Sequence, residues 1–484
     1  MINSLSFDNR FAGLGESFFA PMKARPLPDP HMVTASTSAA ELLDIHPDWL
    51  NSDEALNIFS GHQVPDEAEP LSMVYAGHQF GGYSARLGDG RGILLGQVRN
   101  SKGELWDIHT KGSGKTPFSR FGDGRAVLRS CIREYLASEA LHHLGIPTTR
   151  ALCILGSTEP VRRETMESAS VLVRLARSHI RFGSFEYFAH SKQPAELKKL
   201  ADYVIDTHFP DVAEAEQPCE ALLLRIATET AGMIAHWQAY GFAHGVMNTD
   251  NMSVLGETFD YGPYGFMEAF DPGYICNHTD EQGRYAFNQQ PSIGFWNLRA
   301  LAYAMKDLLS GELTEQLLET YQTRFFEEYD RLMNKKLGLR VQMEDDRQLM
   351  GDLLGLLQKH AIDYSIFFRK LADFTQSDDE SALYAPEEAK ADFREWLEAY
   401  KARLKAENSR DEERAQAMKR ANPKYILRNY LAQQAIEKAE AGDASEVEKL
   451  IGILSHPYDE QPEHEDYAAE PPEWGKHLEI SCSS

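Results

Sequence analysis

The sequence predicts an α+β chain of two lobes, the first rich in strands and the second helical, with extra helices toward the C-terminus. Three observations carry that expectation. Short runs of branched and aromatic residues, bounded by glycine or charged turns, fill residues 71–180. Apolar residues at three- and four-residue spacing take over after about residue 190. The chain's 484 residues exceed what one hydrophobic core ordinarily holds.

Residues 1–70 are rich in turn formers, including Arg25-Pro-Leu-Pro-Asp-Pro30, and are read as an extension wrapping the lobe that follows. The strand-rich lobe spans 71–190. Its strands are expected at Ile93–Val98, Glu104–Thr110 and Ser170–Leu175, and a helix from about Ala126 to Leu144 stops at Gly145-Ile-Pro147. The helical lobe, 191–340, is expected to hold helices in 219–240, 296–309 and 314–333. An extension over 341–455 adds helices in 345–358 and 385–405, and its Ala, Glu, Lys and Arg-rich stretch 403–450 lacks the sustained heptad of a coiled coil. The acidic, Pro-rich tail 456–484 reads as an irregular arm ending in Cys-Ser-Ser. Strands, a helix, more strands and then helices is the order of a protein kinase.

A formal charge of -25 argues against binding nucleic acid or an anionic membrane. Residues 86–133 nevertheless carry ten Lys or Arg against four Asp or Glu, so an anion is expected on that basic island. No run of roughly twenty apolar residues is present, and the N-terminus lacks the basic start and apolar core of a signal peptide. A cytoplasmic monomer is the expectation. Cys131, Cys153, Cys219, Cys276 and Cys482 are scattered without a C-x-x-C pair, which points to neither zinc nor a disulfide framework.

The chemistry concentrates in Gly241-Phe-Ala-His244-Gly-Val246-Met-Asn248-Thr-Asp250-Asn251, with Asp260-Tyr-Gly nine residues past Asn251. In the kinase pattern His-Arg-Asp-Leu-x-x-x-Asn, the Asp accepts the substrate proton and the Asn holds metal. Aligning His244 and Asn251 puts Val246 where that Asp belongs, so another carboxylate must act as base or no base is used. Asp250 is the candidate, with capping of its own loop as the alternative role. Asn251 and Asp260, separated by an expected short strand Met252–Gly256, offer oxygen ligands suited to Mg²⁺ or Mn²⁺. His244 is expected to brace the loop.

Upstream, Gly88, Gly90 and Arg91 lie in a Gly-rich turn that lets backbone N–H groups approach phosphate. Gly77-His-Gln-Phe-Gly-Gly82 beside it reads as an ordinary turn. Lys111 ends the following strand as a phosphate-binding lysine would, and Glu134 on the next helix is placed to pair with it. Gly114-Lys115-Thr116 imitates a P-loop, but the required first glycine falls at His109. Lys115 is therefore read as a secondary anion contact or a solvated loop residue. Asp123 and Gly124 read as the cap and first turn of the helix, with N–H groups free for an anion. Arg174 and Arg181 suit phosphates better than a purine, or else sit on an edge strand.

Taken together, Tyr75-Ala-Gly-His-Gln-Phe-Gly, Leu87-Gly-Asp-Gly-Arg-Gly, His109-Thr-Lys-Gly-Ser-Gly, His244-Gly-Val-Met-Asn-Thr-Asp-Asn-Met, Asp260-Tyr-Gly-Pro and Asn422-Pro-Lys-Tyr-Ile-Leu-Arg-Asn-Tyr-Leu resemble the selenoprotein O family over nearly the whole chain. The resemblance implies a kinase-like bilobed fold that binds ATP in reverse and transfers AMP to Ser, Thr or Tyr hydroxyls of proteins, itself included. It further implies that Gly88, Gly90, Arg91, Lys111, Asp123, Gly124, Arg174, Arg181 and Asp260 contact ATP. Glu134 then positions Lys111, Asn251 and Asp260 hold Mg²⁺ or Mn²⁺, and Asp250 is the base. The family often has selenocysteine third from the end, where this chain has Cys482; a Cys276–Cys482 bridge is one redox reading, and two free thiols, the ordinary state in a cytosolic protein, is the other. Uridylyl transfer from UTP with Mn²⁺, a kinase, and a nucleotide-binding scaffold are the alternatives.

Overall fold

The computed structural model describes residues 5–478. An eight-stranded antiparallel sheet occupies its N-terminal part, in the order Phe19–Pro21, Leu71–Met73, Gly92–Arg99, Leu105–Lys111, Met166–Ala176, Arg150–Arg162, His31–Ala35, with Ala126–Val127 pairing beside Met166–Ala176. The three expected strands fall inside Gly92–Arg99, Leu105–Lys111 and Met166–Ala176. The N-terminal segment supplies both ends of that path. It also covers one face: Leu27, Ile45, Trp49 and Phe59 pack against Ile108, Val173 and Leu175. Strand side chains alternate between faces, so their neighbours His109, Lys111 and Arg174 point the other way.

The helix expected from Ala126 begins at Leu128, because Val127 and Ala126 are still held in register with Ala169 and Ser170. It ends at Leu144 with Gly145 in the left-handed region, φ 79°, as a Gly stop requires. Its residues belong to the large core, enclosed by the sheet on one side and by Asn429–Glu440 and Ser445–Leu454 on another. The C-terminal extension thus buttresses the helix that carries Glu134. Tyr458 adds to this, donating its hydroxyl to the Leu144 carbonyl at 3.0 Å.

The C-terminal part is largely helical. Pro218–Tyr240 lies along Thr314–Lys336, with Gln290–Met305 beside it. A separate apolar cluster joins residues of Thr314–Lys336, Asp346–Lys359, Tyr364–Leu371 and Arg394–Ala406. The helix expected over 385–405 starts only at Arg394, after a 3-10 turn at Lys390–Phe393. Ahead of it the backbone closes three-residue turns, the Ala389 N–H donating to the Pro386 carbonyl and the Asp392 N–H to the Ala389 carbonyl, both at 2.9 Å. In the arm after residue 456, two 3-10 segments, Pro462–Ala468 and Glu473–His477, are docked rather than loose. Lys424 pairs with Glu465 of the first, and Trp474 of the second meets the Tyr430 ring edge-on at 6.1 Å, while Glu460 just before them takes both Lys424 and Arg369 at 2.6 Å. Among the described residues no helix is long and apolar enough to cross a membrane.

Candidate active site

The sheet face carrying His109, Lys111 and Arg174 borders a cavity of about 830 Å³. Gly88, Gly90, Arg91, Lys111, Asp123, Gly124, Arg174, Arg181, Asp250, Asn251 and Asp260 all line it. Register explains the first cations: Gly92 sits opposite Lys111, and Arg174 sits opposite His109 on the neighbouring strand. Arg174 therefore lies inside the sheet and not on an edge strand. Arg181 follows that strand and caps Phe182–His190, its backbone N–H received by Ser184 Oγ at 3.3 Å.

These groups form one alternating ion-pair chain. Lys111 Nζ donates to Glu134 Oε2 at 2.6 Å, and Arg174 Nη2 reaches the same oxygen at 2.9 Å while its Nε binds Oε1. Arg174 Nη2 also lies 3.0 Å from Asp260 Oδ1, and Arg181 Nη1 is 2.6 Å from Asp260 Oδ2. Arg181 closes the series by donating to the Asp250 carbonyl at 2.8 Å. Glu134, though outside the cavity wall, thus holds two cations and not Lys111 alone. Burial works against its charge, but Arg174 and Lys111 outweigh that and keep its carboxyl below the usual range. For Asp260 burial likewise opposes ionisation, and Arg181, Arg174 and Lys111 together hold it well below an ordinary carboxylate.

The loop bearing Asp250 is bracketed by a small pairing of Phe242–Ala243 with Gly265–Phe266. Gly241, at φ 68°, ends the preceding helix. Inside the loop, His244 Nε2 donates to the Phe259 carbonyl at 3.0 Å and the ring stacks on Trp237, which makes it a brace. Asn297 and Tyr285 bind the Met247 carbonyl and Asn248 side chain at 2.9 and 2.6 Å. The strand expected at 252–256 does not form; Ser253 makes only an isolated bridge to Arg181. Asp260 itself is a non-glycine residue at φ 56°. That backbone costs roughly 1–2 kcal/mol, and the two arginines compensate by fixing its carboxylate at the cavity.

Asp250 is buried, and burial pushes its carboxyl up to about 6. Its Oδ2 accepts from Gln79 Nε2 at 3.1 Å, while Oδ1 has no partner among the described residues. Asn251 commits its amide nitrogen to the Val246 carbonyl at 3.0 Å, which leaves its side-chain oxygen as the atom for a ligand. Asn251 and Asp260 both line the cavity with oxygens of the kind Mg²⁺ or Mn²⁺ takes, the Asp260 pair being shared here with Arg174 and Arg181. Among the described residues no group of three or more His, Cys, Asp or Glu could hold a metal by itself.

Several expectations need correction. Asp123 does not cap the helix, whose N-cap is Val127; instead it accepts from the Arg125 N–H at 2.8 Å and from Arg163 at 2.7 and 3.1 Å. The turn at Gly77–Gly82 is a hairpin of Gly77–Gln79 with Gly82–Ser84, seated on the Asp250 loop. His78 N–H donates to Thr249 Oγ1 at 2.7 Å, Phe80 N–H to Asn248 Oδ1 at 3.1 Å, and a Cβ on Gly77 would stand 2.6 Å from Asp250 Oδ1. Lys115 is exposed and outside the cavity wall, the solvated alternative. Cys276 is buried against the loop, its Sγ 2.6 Å from where a Gly245 Cβ would sit. Cys482, and with it the expected bridge, lies outside the described residues.

Sequence reasoning passed over Gln79, Asp89, His109 and Arg163. Asp89 and His109 are the most buried of these: His109 Nε2 lies 3.2 Å from Asp89 Oδ2, whose carboxylate also accepts the Met73 N–H at 3.1 Å. The pair ties the Gly-rich turn to the sheet. The only local signal was an acid between two glycines.

Comparison with known proteins gives a consistent picture. The family described as Protein adenylyltransferase SelO matches residues 1–455. The chain is 52% identical over 483 residues to protein nucleotidyltransferase YdiU of Pseudomonas putida (strain GB-1), spanning 100% of this chain and 99% of that protein. Over 490 residues it is 51% identical to the same-named protein of Pseudomonas fluorescens (strain Pf0-1), and over 485 residues 51% identical to that of Pseudomonas aeruginosa (strain LESB58), with the same coverage in both.

Proposed function

The chain belongs to the SelO protein adenylyltransferase family, and we propose that it is a protein nucleotidyltransferase that moves AMP from ATP to Ser, Thr or Tyr hydroxyls, self-modification included. The observation that carries this reading is the convergence of Lys111, Arg174 and Arg181 with two carboxylates, Asp250 and Asp260, in one cavity. The two parts of the chain correspond in this reading to the lobes of a kinase-like fold, with ATP bound in the reverse sense.

The acceptor hydroxyl attacks the α-phosphorus, the bond to the bridging oxygen breaks, and pyrophosphate leaves. Asp250, which lines the cavity, takes the hydroxyl proton. Lys111, Arg174, Arg181 and Arg91 draw the phosphate oxygens and neutralise charge as it builds, which is where most phosphoryl-transfer catalysis resides. Arg174 and Arg181 are paired with acids at the cavity, so they are already oriented. Glu134 keeps Lys111 and Arg174 at their posts. Gly88, Gly90 and Gly124 give the backbone room to approach phosphate, and Asp123 steadies Arg163 at the rim. Asn251 and Asp260 would hold Mg²⁺ or Mn²⁺, which when bound screens the phosphate charge. Val246 at the usual kinase base position counts against protein phosphorylation.

Intact-protein mass spectrometry after incubation with ATP and Mg²⁺ or Mn²⁺ tests the reading on wild type and Asp260→Ala. A gain of AMP mass in wild type alone is expected. A gain of phosphate would overturn it in favour of a kinase, and UMP gained from UTP in preference to AMP from ATP would shift it to uridylyl transfer.

A narrower prediction concerns Gly88, at φ 115°, where an added Cβ would lie 2.5 Å from the Phe118 ring. Gly88→Ala should raise KM for ATP by about tenfold, the equivalent of 1–2 kcal/mol of backbone strain, with kcat little changed. An ATP titration of initial rates checks this.

A further inference from the structure

Large hydrophobic side chains remain exposed beside the hairpin that seats on the Asp250 loop. Phe80 is 43% exposed, Tyr83 36% and Tyr303 61%. They are not scattered. Tyr83 packs against His190 at a tilt of 34° with centroids 4.0 Å apart, and the His190 ring lies 6.4 Å from that of Tyr303. Phe80 lines the cavity, and Gln79 next to it binds Asp250. His78 and Tyr83, the next pair along the hairpin, start the strip that runs outward from the cavity to Tyr303.

Two cations border this strip. Lys306 Nζ lies 4.6 Å from the Tyr303 ring centroid, and the Arg284 guanidinium 4.8 Å from that of Trp296, whose ring meets His78 at 5.4 Å. Neither makes an ion pair among the described residues, in a chain with 74 acidic and 49 basic residues. Cations without a carboxylate partner beside exposed aromatic rings, in so acidic a protein, are complementary to a partner that brings both carboxylate and apolar groups.

We propose that this strip docks the acceptor polypeptide and selects acceptors carrying an acidic residue and an aromatic or large aliphatic residue near the modified hydroxyl. The inference rests on the protein-modifying reading above. A hydroxyl that reaches Asp250 must bring its flanking chain across the cavity mouth. The strip is continuous with that mouth through Phe80, and its rings offer rigid apolar area at little entropic cost.

The test uses Ser-, Thr- and Tyr-centred peptides with either Glu and Phe or Lys and Gly as flanking residues, against full-length wild type, Tyr303→Ala and Lys306→Glu. Both substituted residues lie outside the cavity wall, so KM for ATP and nucleotide-dependent thermal stabilisation should not move. Wild type should prefer the Glu/Phe peptides, and each variant should lose about five- to tenfold in kcat/KM on them, as an interface aromatic or rim charge does. Lys306→Glu should also gain on the Lys/Gly set. Equal rates on the two sets, or variants that match wild type, would overturn the proposal. Self-modification by wild type without labelling of either set would overturn it too, while leaving AMP transfer standing. AMP transfer to nothing at all would instead sink the functional reading, and the docking role with it.

Discussion

Asp250→Asn should lower AMP transfer by about two to four orders of magnitude in kcat while nucleotide-dependent thermal stabilisation persists. The side chains are nearly the same shape, and Gln79 can turn its amide to keep a hydrogen bond with the new group. The Arg181 contact is to the Asp250 backbone carbonyl and is untouched by the change. What disappears is a proton acceptor. With its carboxyl pushed up to about 6 by burial, Asp250 is mostly ionised at neutral pH yet a stronger base than an exposed aspartate. Single-turnover rates measured alongside ATP binding separate the outcomes. A loss smaller than about fivefold would remove Asp250 as base, and a loss of ATP binding would reassign it to holding the loop.

The second large effect is expected on stability as well as on rate. Glu134→Ala leaves Lys111 and Arg174 buried without the carboxylate that both of them share. Breaking one member out of a buried ion pair costs about 3–5 kcal/mol, because the remaining charge has no solvent to turn to. Arg174 would retain Asp260, 3.0 Å away, so the larger part of the penalty falls on Lys111. Urea unfolding should show the destabilisation, with Glu134→Gln intermediate because its amide oxygen still accepts a hydrogen bond. AMP transfer should fall in both variants, since Lys111 loses its anchor. An alanine variant within about 1 kcal/mol of wild type would mean that water already solvates these cations, and the preorganised network would have to be abandoned.

How much of this was legible beforehand depended on the range of the physics involved. The spacing of His244, Asn251 and Asp260 is local, as are the Gly-rich turn at Gly88–Arg91 and the lysine ending the strand Leu105–Lys111. Asn251, Asp260, Gly88, Gly90, Arg91 and Lys111 line one cavity, with His244 buried behind it as a brace. The stop at Gly145 was equally local, a matter of left-handed backbone that glycine alone adopts freely. Asp123 shows where local reasoning fails. An acid before a helix has the chemistry of a cap, but strand pairing at Ala126–Val127 displaced the helix start, and Arg163 from a distant hairpin claimed the carboxylate.

The sequence by itself determined which groups exist and at what spacing along the chain: periodic apolar faces, turns that need glycine, and the loop with an acid beside an asparagine and a valine in place of the usual base. Only the tertiary structure decided their partners. Gln79 meets Asp250 across 171 residues, and Glu134 meets Arg174 across 40. Alternation and turn sterics act over a few residues, so a short window reveals them. Ion pairs and hydrogen bonds depend on distances of about 3 Å, which are set only when burial of the apolar faces brings remote strands and helices together.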